Sequence, residues 1–273
     1  MKRAIHAGDV TAVILAGGHG TRLYGNNPLL SKPLLPIGRQ SIVGRLAEQV
    51  HRAGLSRTIV FAAPETASWY AQALLRPSSS TNVQLTSSSA YRKGPVHALI
   101  SLREQIPTCI CLLLLGDIVY TQSPLKHGLP RCLDRTIWLG TRARSIAIDY
   151  GFVYTERGVY RLEDRPRHPV IGGLQWSGLC FFPTELLDFA CPSPRSYRTL
   201  GDFFDRSRHR YPIAPFRVPD FVNVNTSTDY LIAQLLTFGD DDKIRPEHTN
   251  ILKAVRSLTR RLRADRCGTR GMT

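Results

Sequence analysis

The stretch Thr11-Ala12-Val13-Ile14-Leu15-Ala16, followed at once by Gly17-Gly18-His19-Gly20-Thr21-Arg22-Leu23, decides how the chain is read. The first six residues are short, apolar and partly β-branched, the composition of a strand. Three glycines in the next four positions let the backbone approach a ligand closely and take positive φ, so that successive N–H groups can face an anion. The dinucleotide-binding pattern does not fit, because its third glycine would fall on Leu23. Nor is this a Walker A loop, since no Gly-Lys-Ser/Thr follows.

Downstream, apolar runs alternate with amphipathic stretches, as in a largely parallel sheet covered by helices. The pattern predicts helices at Ile42–Ala53, Thr66–Leu75 and Val96–Gln105, and strands at Arg57–Ala63, Val83–Thr86, Cys109–Leu115 and Thr136–Thr141. Cys109–Leu115 is continuously apolar, as a strand buried on both faces would be. After residue 145 the pattern changes. Gly151–Thr155 and Val159–Leu162 flank Glu156-Arg157-Gly158 as a hairpin would. Leu179–Phe182 and Phe221–Val224 read as further strands and Tyr230–Phe238 as a helix, with a loop at Pro192–Pro194. The expected fold class is α/β: a Rossmann-like, mixed, mostly parallel sheet sandwiched by helices, with a small antiparallel insert and a C-terminal helix. Residues 1–240 are expected to form one domain of two halves, 1–145 and 146–240, the second carrying the antiparallel insert. Residues 241–273 form a basic tail in which Ile251, Val255, Leu258 and Leu262 fall on one helical face.

Composition narrows the partners. With 273 residues, 42% hydrophobic and 21% charged, the chain is neither disordered, collagen-like nor a membrane bundle. Apolar stretches such as Ile110–Leu115 are far too short to span a bilayer. The opening MKRAIHAGDV reaches Asp9 before any apolar segment of signal length, so a cytoplasmic protein is expected, with no membrane partner. The net charge of +15 invites nucleic acid or an anionic small substrate. The tail, with nine basic and four acidic residues, carries +5 of it, leaving +10 on the rest. That spread argues against one nucleic-acid patch, and no nucleic-acid partner is expected; the tail helix suits a subunit contact in a homo-oligomer. Six cysteines include no Cys-x-x-Cys pair, and Cys109, Cys111 and Cys180 lie in or beside apolar runs, so reduced, buried thiols are expected.

Ten residues after Arg22 comes Ser31-Lys32-Pro33-Leu34-Leu35-Pro36-Ile37, which holds one of only six lysines. The glycine loop and this Lys-Pro together closely resemble the sugar-1-phosphate nucleotidyltransferases, whose motif reads Gly-Gly-x-Gly-Thr-Arg-Leu with a Lys-Pro about ten residues on. The resemblance runs to about residue 235 and implies an enzyme that joins an NTP to a sugar 1-phosphate, giving an NDP-sugar and pyrophosphate, with 1–145 as the nucleotide-binding half and 146–240 as the sugar-binding half. By resemblance, Arg22 and Lys32 are the catalytic cations. Ala16, Gly17, Gly18, Gly20 and Thr21 bind the nucleotide, as does Gly94 of Lys93-Gly94-Pro95-Val96-His97-Ala98, where Pro95 replaces a family Thr. Leu115-Gly116-Asp117 matches the family's Gly-Asp, whose Asp binds magnesium, and Asn223-Val224-Asn225-Thr226 stands where many members have Asp-Ile-Gly-Thr. Asn223 thus falls on the second metal position without its charge, with Asp220 as a nearby substitute.

Tyr150-Gly151-Phe152-Val153 resembles the family's Tyr-Gly-Val-Val, and Glu163-Asp164-Arg165-Pro166 its Glu-Glu-Lys-Pro. On that basis Gly151, Asp164 and Arg165 bind the sugar phosphate, as does Trp176 of Trp176-Ser177-Gly178-Leu179, where the family has Asn-Ala-Gly-Ile. The departures at Asp164, Arg165 and Trp176 point to an unusual sugar. The segments Tyr150–Pro166 and Asn223–Thr226 lean towards guanylyl transfer. The alternatives are a cytidylyltransferase of a phosphorylated alcohol such as phosphocholine, and a catalytically inactive regulatory paralogue.

Overall fold

Strand β1 (Val10–Leu15) lies inside the sheet, hydrogen-bonded on both sides, and its apolar residues divide between two cores. The computed structural model describes residues 6–18, 23, 31–74, 83–125, 135–143, 151–164, 173–190 and 197–237. Among them the chain continues through β2 (Pro36–Ile37), β3 (Gln40–Ser41), α1 (Ile42–Arg52), β4 (Thr58–Ala62), α2 (Ala67–Leu74), β5 (Val83–Ser87), α3 (Pro95–Ile100), β6 (Ile110–Leu115) and β7 (Ile118–Tyr120). There follow β8 (Ile137–Ala143), β9 (Gly151–Glu156), β10 (Val159–Asp164), β11 (Leu174–Pro183), α4 (Glu185–Ala190), α5 (Leu200–Ser207), β12 (Ile213–Arg217), β13 (Phe221–Asn223) and α6 (Ser227–Thr237).

The main sheet runs β10-β9-β11-β6-β1-β4-β5, and β8 joins β11 and carries β12. Strands β6, β1, β4 and β5 are mutually parallel; β11 is antiparallel to β6, β8 and β9. This is the Rossmann-like α/β fold with an antiparallel insert. Side chains of a strand alternate between faces, and β6 shows the consequence. Leu112 and Leu114 enter one core with Ile42, Val43 and Leu46 of α1, while Cys111 and Leu113 enter the other with Leu99 of α3 and Phe203 and Phe204 of α5. A strand buried on both faces must be apolar at every position, which is why Ile110–Leu115 is legible as one.

The hairpin β9–β10 turns through Arg157 and Gly158, both at positive φ (50° and 80°), the two-residue turn whose twist matches paired strands. Strand β11 is longer than the expected Leu179–Phe182 because an irregularity interrupts it. Between Trp176 and Cys180 four steps along β11 match two along β8, from Thr141 to Leu139. The break lets β11 serve two neighbours on one side: Leu174 and Gln175 pair with β9, and Leu179–Pro183 with β6.

The structure corrects several expectations. The helix expected at Val96–Gln105 stops at Ile100, because the Ser101 hydroxyl donates to the Ala98 carbonyl and the chain tightens into a 3-10 turn at Arg103–Gln105. Cys109 is exposed rather than buried, since the strand begins one residue later at Ile110; Cys111 and Cys180 are buried. Burial pushes both of those thiols well above their ordinary pKa. Strands β7 and β12 and helices α4 and α5 were not expected. The loop at 192–194, Cys132, Cys191, Cys267 and the tail 241–273 lie outside the described residues.

Gly178 sits at φ +74° in the irregularity, and a Cβ there would come within 3.0 Å of Leu115 Cδ1 and 3.1 Å of Ile118 Cγ1. We expect Gly178→Ala to combine left-handed strain with overpacking and to cost about 2–4 kcal/mol, read as a Tm lower by several degrees in calorimetry. An unchanged Tm would show that the break in β11 needs no glycine.

Candidate active site

The carboxyl ends of β1 and β6 lie side by side, tied by the Gly116 amide donating to the Leu15 carbonyl (2.9 Å). Open α/β sheets bind ligands at this edge. A cleft of about 520 Å3 opens here, and it gathers eight of the residues singled out from the sequence: Gly17, Gly18, Lys32, Asp117, Gly151, Asp164, Trp176 and Asn223. Gly20, Thr21, Arg22 and Arg165 lie outside the described residues. Ala16 stands behind the cleft wall, its amide donating to the Phe61 carbonyl (2.8 Å). Gly94 caps α3 at φ +109°, next to Pro95, which does line the cleft.

At one end of the cleft, Gly17 passes so close to Tyr91 that a Cβ would meet the tyrosine Cβ at 3.2 Å. The Tyr91 hydroxyl donates to Glu65 Oε1 (2.8 Å), which Arg92 also engages. The Arg92 guanidinium, aided by that hydroxyl, holds the Glu65 carboxyl down at about 2. Behind the loop the Tyr70 hydroxyl donates to the Ala16 carbonyl (2.6 Å) and accepts from the Ser31 hydroxyl (2.5 Å). Burial raises the Tyr70 pKa, so the phenol keeps its proton at neutral pH. The start of the glycine loop and the turn that carries Lys32 are thereby pinned to one side chain.

Lys32, in a 3-10 turn at Lys32–Leu34, is only 6% exposed. Its ammonium donates to Asn225 Oδ1 (3.0 Å) and stands 3.9 Å from Asp117 Oδ2. Asp117 follows β6 and Asn223 ends β13, and the two are brought together by the Val224 amide donating to the Asp117 carbonyl (2.9 Å) and by β13 pairing with β7. Asn223 Oδ1 is buried and has no hydrogen-bond partner among the described residues. Asp220, by contrast, opens on a separate cavity and pairs with Arg142 (3.1 Å).

The other end is walled by Gly151, Asp164 and Trp176. Trp176 is anchored rather than mobile: its indole N–H donates to the Leu179 carbonyl across the break in β11 (3.0 Å), and Phe204 meets it edge-on with centroids 6.2 Å apart. The N-terminus of α5 completes this wall with Arg198 and Thr199. Thr199 accepts from the Asp202 amide (3.1 Å), while Asp202 accepts from the Arg198 amide (3.0 Å). The signal for this helix was in the sequence, as Thr199 followed three residues on by Asp202, a capping pair. Asn225, Tyr91 and Arg198 are the site residues that sequence reasoning missed.

Residues 11–214 match the model of the nucleotidyl transferase family. The chain belongs to that family. The resemblance drawn from the glycine loop and Lys32-Pro33 is thus borne out, and the protein is an enzyme, a transferase. This nucleotidyl transferase is 29% identical over 202 residues to a glucose-1-phosphate thymidylyltransferase of Neisseria gonorrhoeae, covering 70% of this chain and 68% of that one. It is 40% identical over 52 residues to the bifunctional protein GlmU of Symbiobacterium thermophilum, a match spanning only 10% of that protein and 19% of this chain. Among solved structures, a glucose-1-phosphate thymidylyltransferase of Bacillus anthracis, crystallised with sucrose, aligns with a TM-score of 0.73 at 15% identity, covering 86% of this chain and 97% of that one. HddC of Yersinia pseudotuberculosis aligns at 0.67 and 19% identity, covering 82% and 97% respectively. These two show the shared fold.

The anchoring of Trp176 gives a stability prediction. Trp176→Ala removes a core side chain, its hydrogen bond across the strand break and its contact with Phe204, so it should cost about 3–5 kcal/mol in denaturant unfolding. A loss below about 1 kcal/mol would mean that the indole is a replaceable lining and not a strut.

Proposed function

We propose that this nucleotidyl transferase joins an NTP to a sugar 1-phosphate, releasing pyrophosphate and an NDP-sugar, and that it acts in the cytoplasm, where both substrates occur. The observation that carries the reading is a buried ammonium, Lys32, on the floor of a cleft with the glycine loop at one end and Gly151, Asp164 and Trp176 at the other. An oxygen of the sugar phosphate attacks the α-phosphorus as the bond to the leaving pyrophosphate breaks. That oxygen is largely ionised at neutral pH, because the second pKa of a phosphomonoester is about 6, so no general base is needed. The task is to hold two polyanions in line and to neutralise the charge that develops between them.

Gly17 and Gly18, with Gly20 and Thr21, would present amides to the NTP phosphates, and Arg22 would clamp the leaving group. Lys32 would contact the α-phosphate and the incoming phosphate. Asp164 would bind sugar hydroxyls, and Arg165 and Arg198 would grip the sugar phosphate. The described lining sets Lys32 and Arg198 against Asp117 and Asp164, so its charges balance. A divalent cation suits this balance. Asp117 supplies a carboxylate, and Asn223 a buried amide oxygen with no hydrogen-bond partner among the described residues, both hard oxygen ligands of the kind magnesium takes. Bound there, the cation would supply charge neutralisation at the phosphates. For the base, the sequence leans towards guanylyl transfer while two of the relatives are named thymidylyltransferases, so both GTP and dTTP belong in the test.

The protein, magnesium, the common NTPs and a panel of sugar 1-phosphates should give pyrophosphate with one preferred pair. Lys32→Ala should lower kcat by about two to three orders of magnitude, with a smaller change in NTP affinity. No pyrophosphate from any pair, or full turnover in Lys32→Ala, would sink the reading. The metal assignment is checked separately. Excess chelator and Asp117→Ala should each abolish turnover, whereas Asn223→Asp should retain it. Turnover that survives chelation would remove Asp117 and Asn223 from the metal site.

A further inference from the structure

We propose that Asn225 is a positioning residue, which holds the Lys32 ammonium in place through a neutral acceptor and so leaves its charge for the phosphates. Asn225 stands where the resembling stretch has glycine, so the resemblance gives it no role. In the structure it is only 7% exposed, and its Oδ1 lies 3.0 Å from Lys32 Nζ, at hydrogen-bond length, whereas Asp117 Oδ2 is 3.9 Å away. The acceptor is itself locked. Asp229, buried in the first turn of α6, accepts from the Asn225 amide (3.2 Å), the Thr226 amide (2.8 Å) and the Thr226 hydroxyl (2.7 Å). The next peptide back is tied to the strand end, since the Val224 amide donates to the Asp117 carbonyl (2.9 Å).

The chemistry of the acceptor matters. A lysine side chain carries about 2 kcal/mol of rotamer entropy, and a cation that must meet a developing phosphate charge loses effect when displaced by about an ångström. A carboxylate at position 225 would fix the ammonium but also cancel its charge. An amide oxygen fixes it and cancels nothing. It also offers Lys32 a hydrogen bond other than a close pair with Asp117, whose carboxylate is wanted for a cation.

The test rests on the function proposed above for one arm and is independent of it in the other. Asn225→Ala, Lys32→Ala and the double variant are compared by steady-state kinetics, with Tm as the check on folding. Asn225→Gly, which installs the residue of the resembling family, takes the place of any Ala variant that does not fold. We expect the Asn225 variant to lower kcat roughly ten- to a hundredfold, the effect of a lost hydrogen bond to a charged group, with a KM for the NTP changed by less than about threefold. In the Lys32→Ala background the same change should cost less than about twofold, because the residue acts through the lysine. An equal loss in both backgrounds would overturn the proposal. In the second arm, the acylation rate of Lys32 is followed by peptide mass spectrometry, which needs no turnover. It should rise several-fold in the Asn225 variant, and an unchanged rate would overturn the proposal even if the protein proved to catalyse another reaction.

Discussion

A lysine ammonium removed from water is costly unless it is given a countercharge and hydrogen-bond acceptors, and the carboxyl edge of this sheet is arranged around that constraint. Lys32 reaches its place from the turn that follows the glycine loop, Asp117 from the end of β6, and Asn225 from the peptide after β13. The backbone bonds that fix the meeting point run between the same segments, from Gly116 to Leu15 and from Val224 to Asp117. Tyr70 adds a brace, bonding both Ala16 and Ser31. The cluster is thus held by the ends of buried strands and not by the glycine loop alone.

The opposite wall follows from the break in β11. Strand β11 pairs with β9 at Leu174 and Gln175 and with β6 from Leu179 to Pro183, and its register against β8 shifts between Trp176 and Cys180. Gly178 supplies the positive φ, and the Trp176 indole closes the gap by donating to Leu179. The antiparallel insert is thereby swung against the parallel sheet, so that Gly151, Asp164 and Trp176 face the cleft that the β1 and β6 ends open. Helix α5 fits under this insert because position 201 is glycine, where a Cβ would lie 2.7 Å from Asp164 Cβ. The aromatic core of Phe203 and Phe204 supports this wall from behind.

The sequence by itself determined the parallel sheet, because strands buried on both faces have to be apolar nearly throughout: Ile110–Leu115 is wholly so, and β1 departs from it only at Thr11, whose hydroxyl accepts from Thr108. It also carried the family's motif: glycines in series after a strand, then a Lys-Pro, are local patterns with local causes. Some short elements were not legible. Strand β7 has three residues and is held by pairing with β13, whose stretch was expected as a strand, and β12 carries Pro215, tolerable since β12 pairs only with β8 at a sheet edge. Nor could position 225 be read, for an asparagine in a turn has many uses. Its bond to Lys32, from a residue far away along the chain, was decided by tertiary structure alone, because the burial that makes an ammonium need an acceptor arises only when the strand ends have come together.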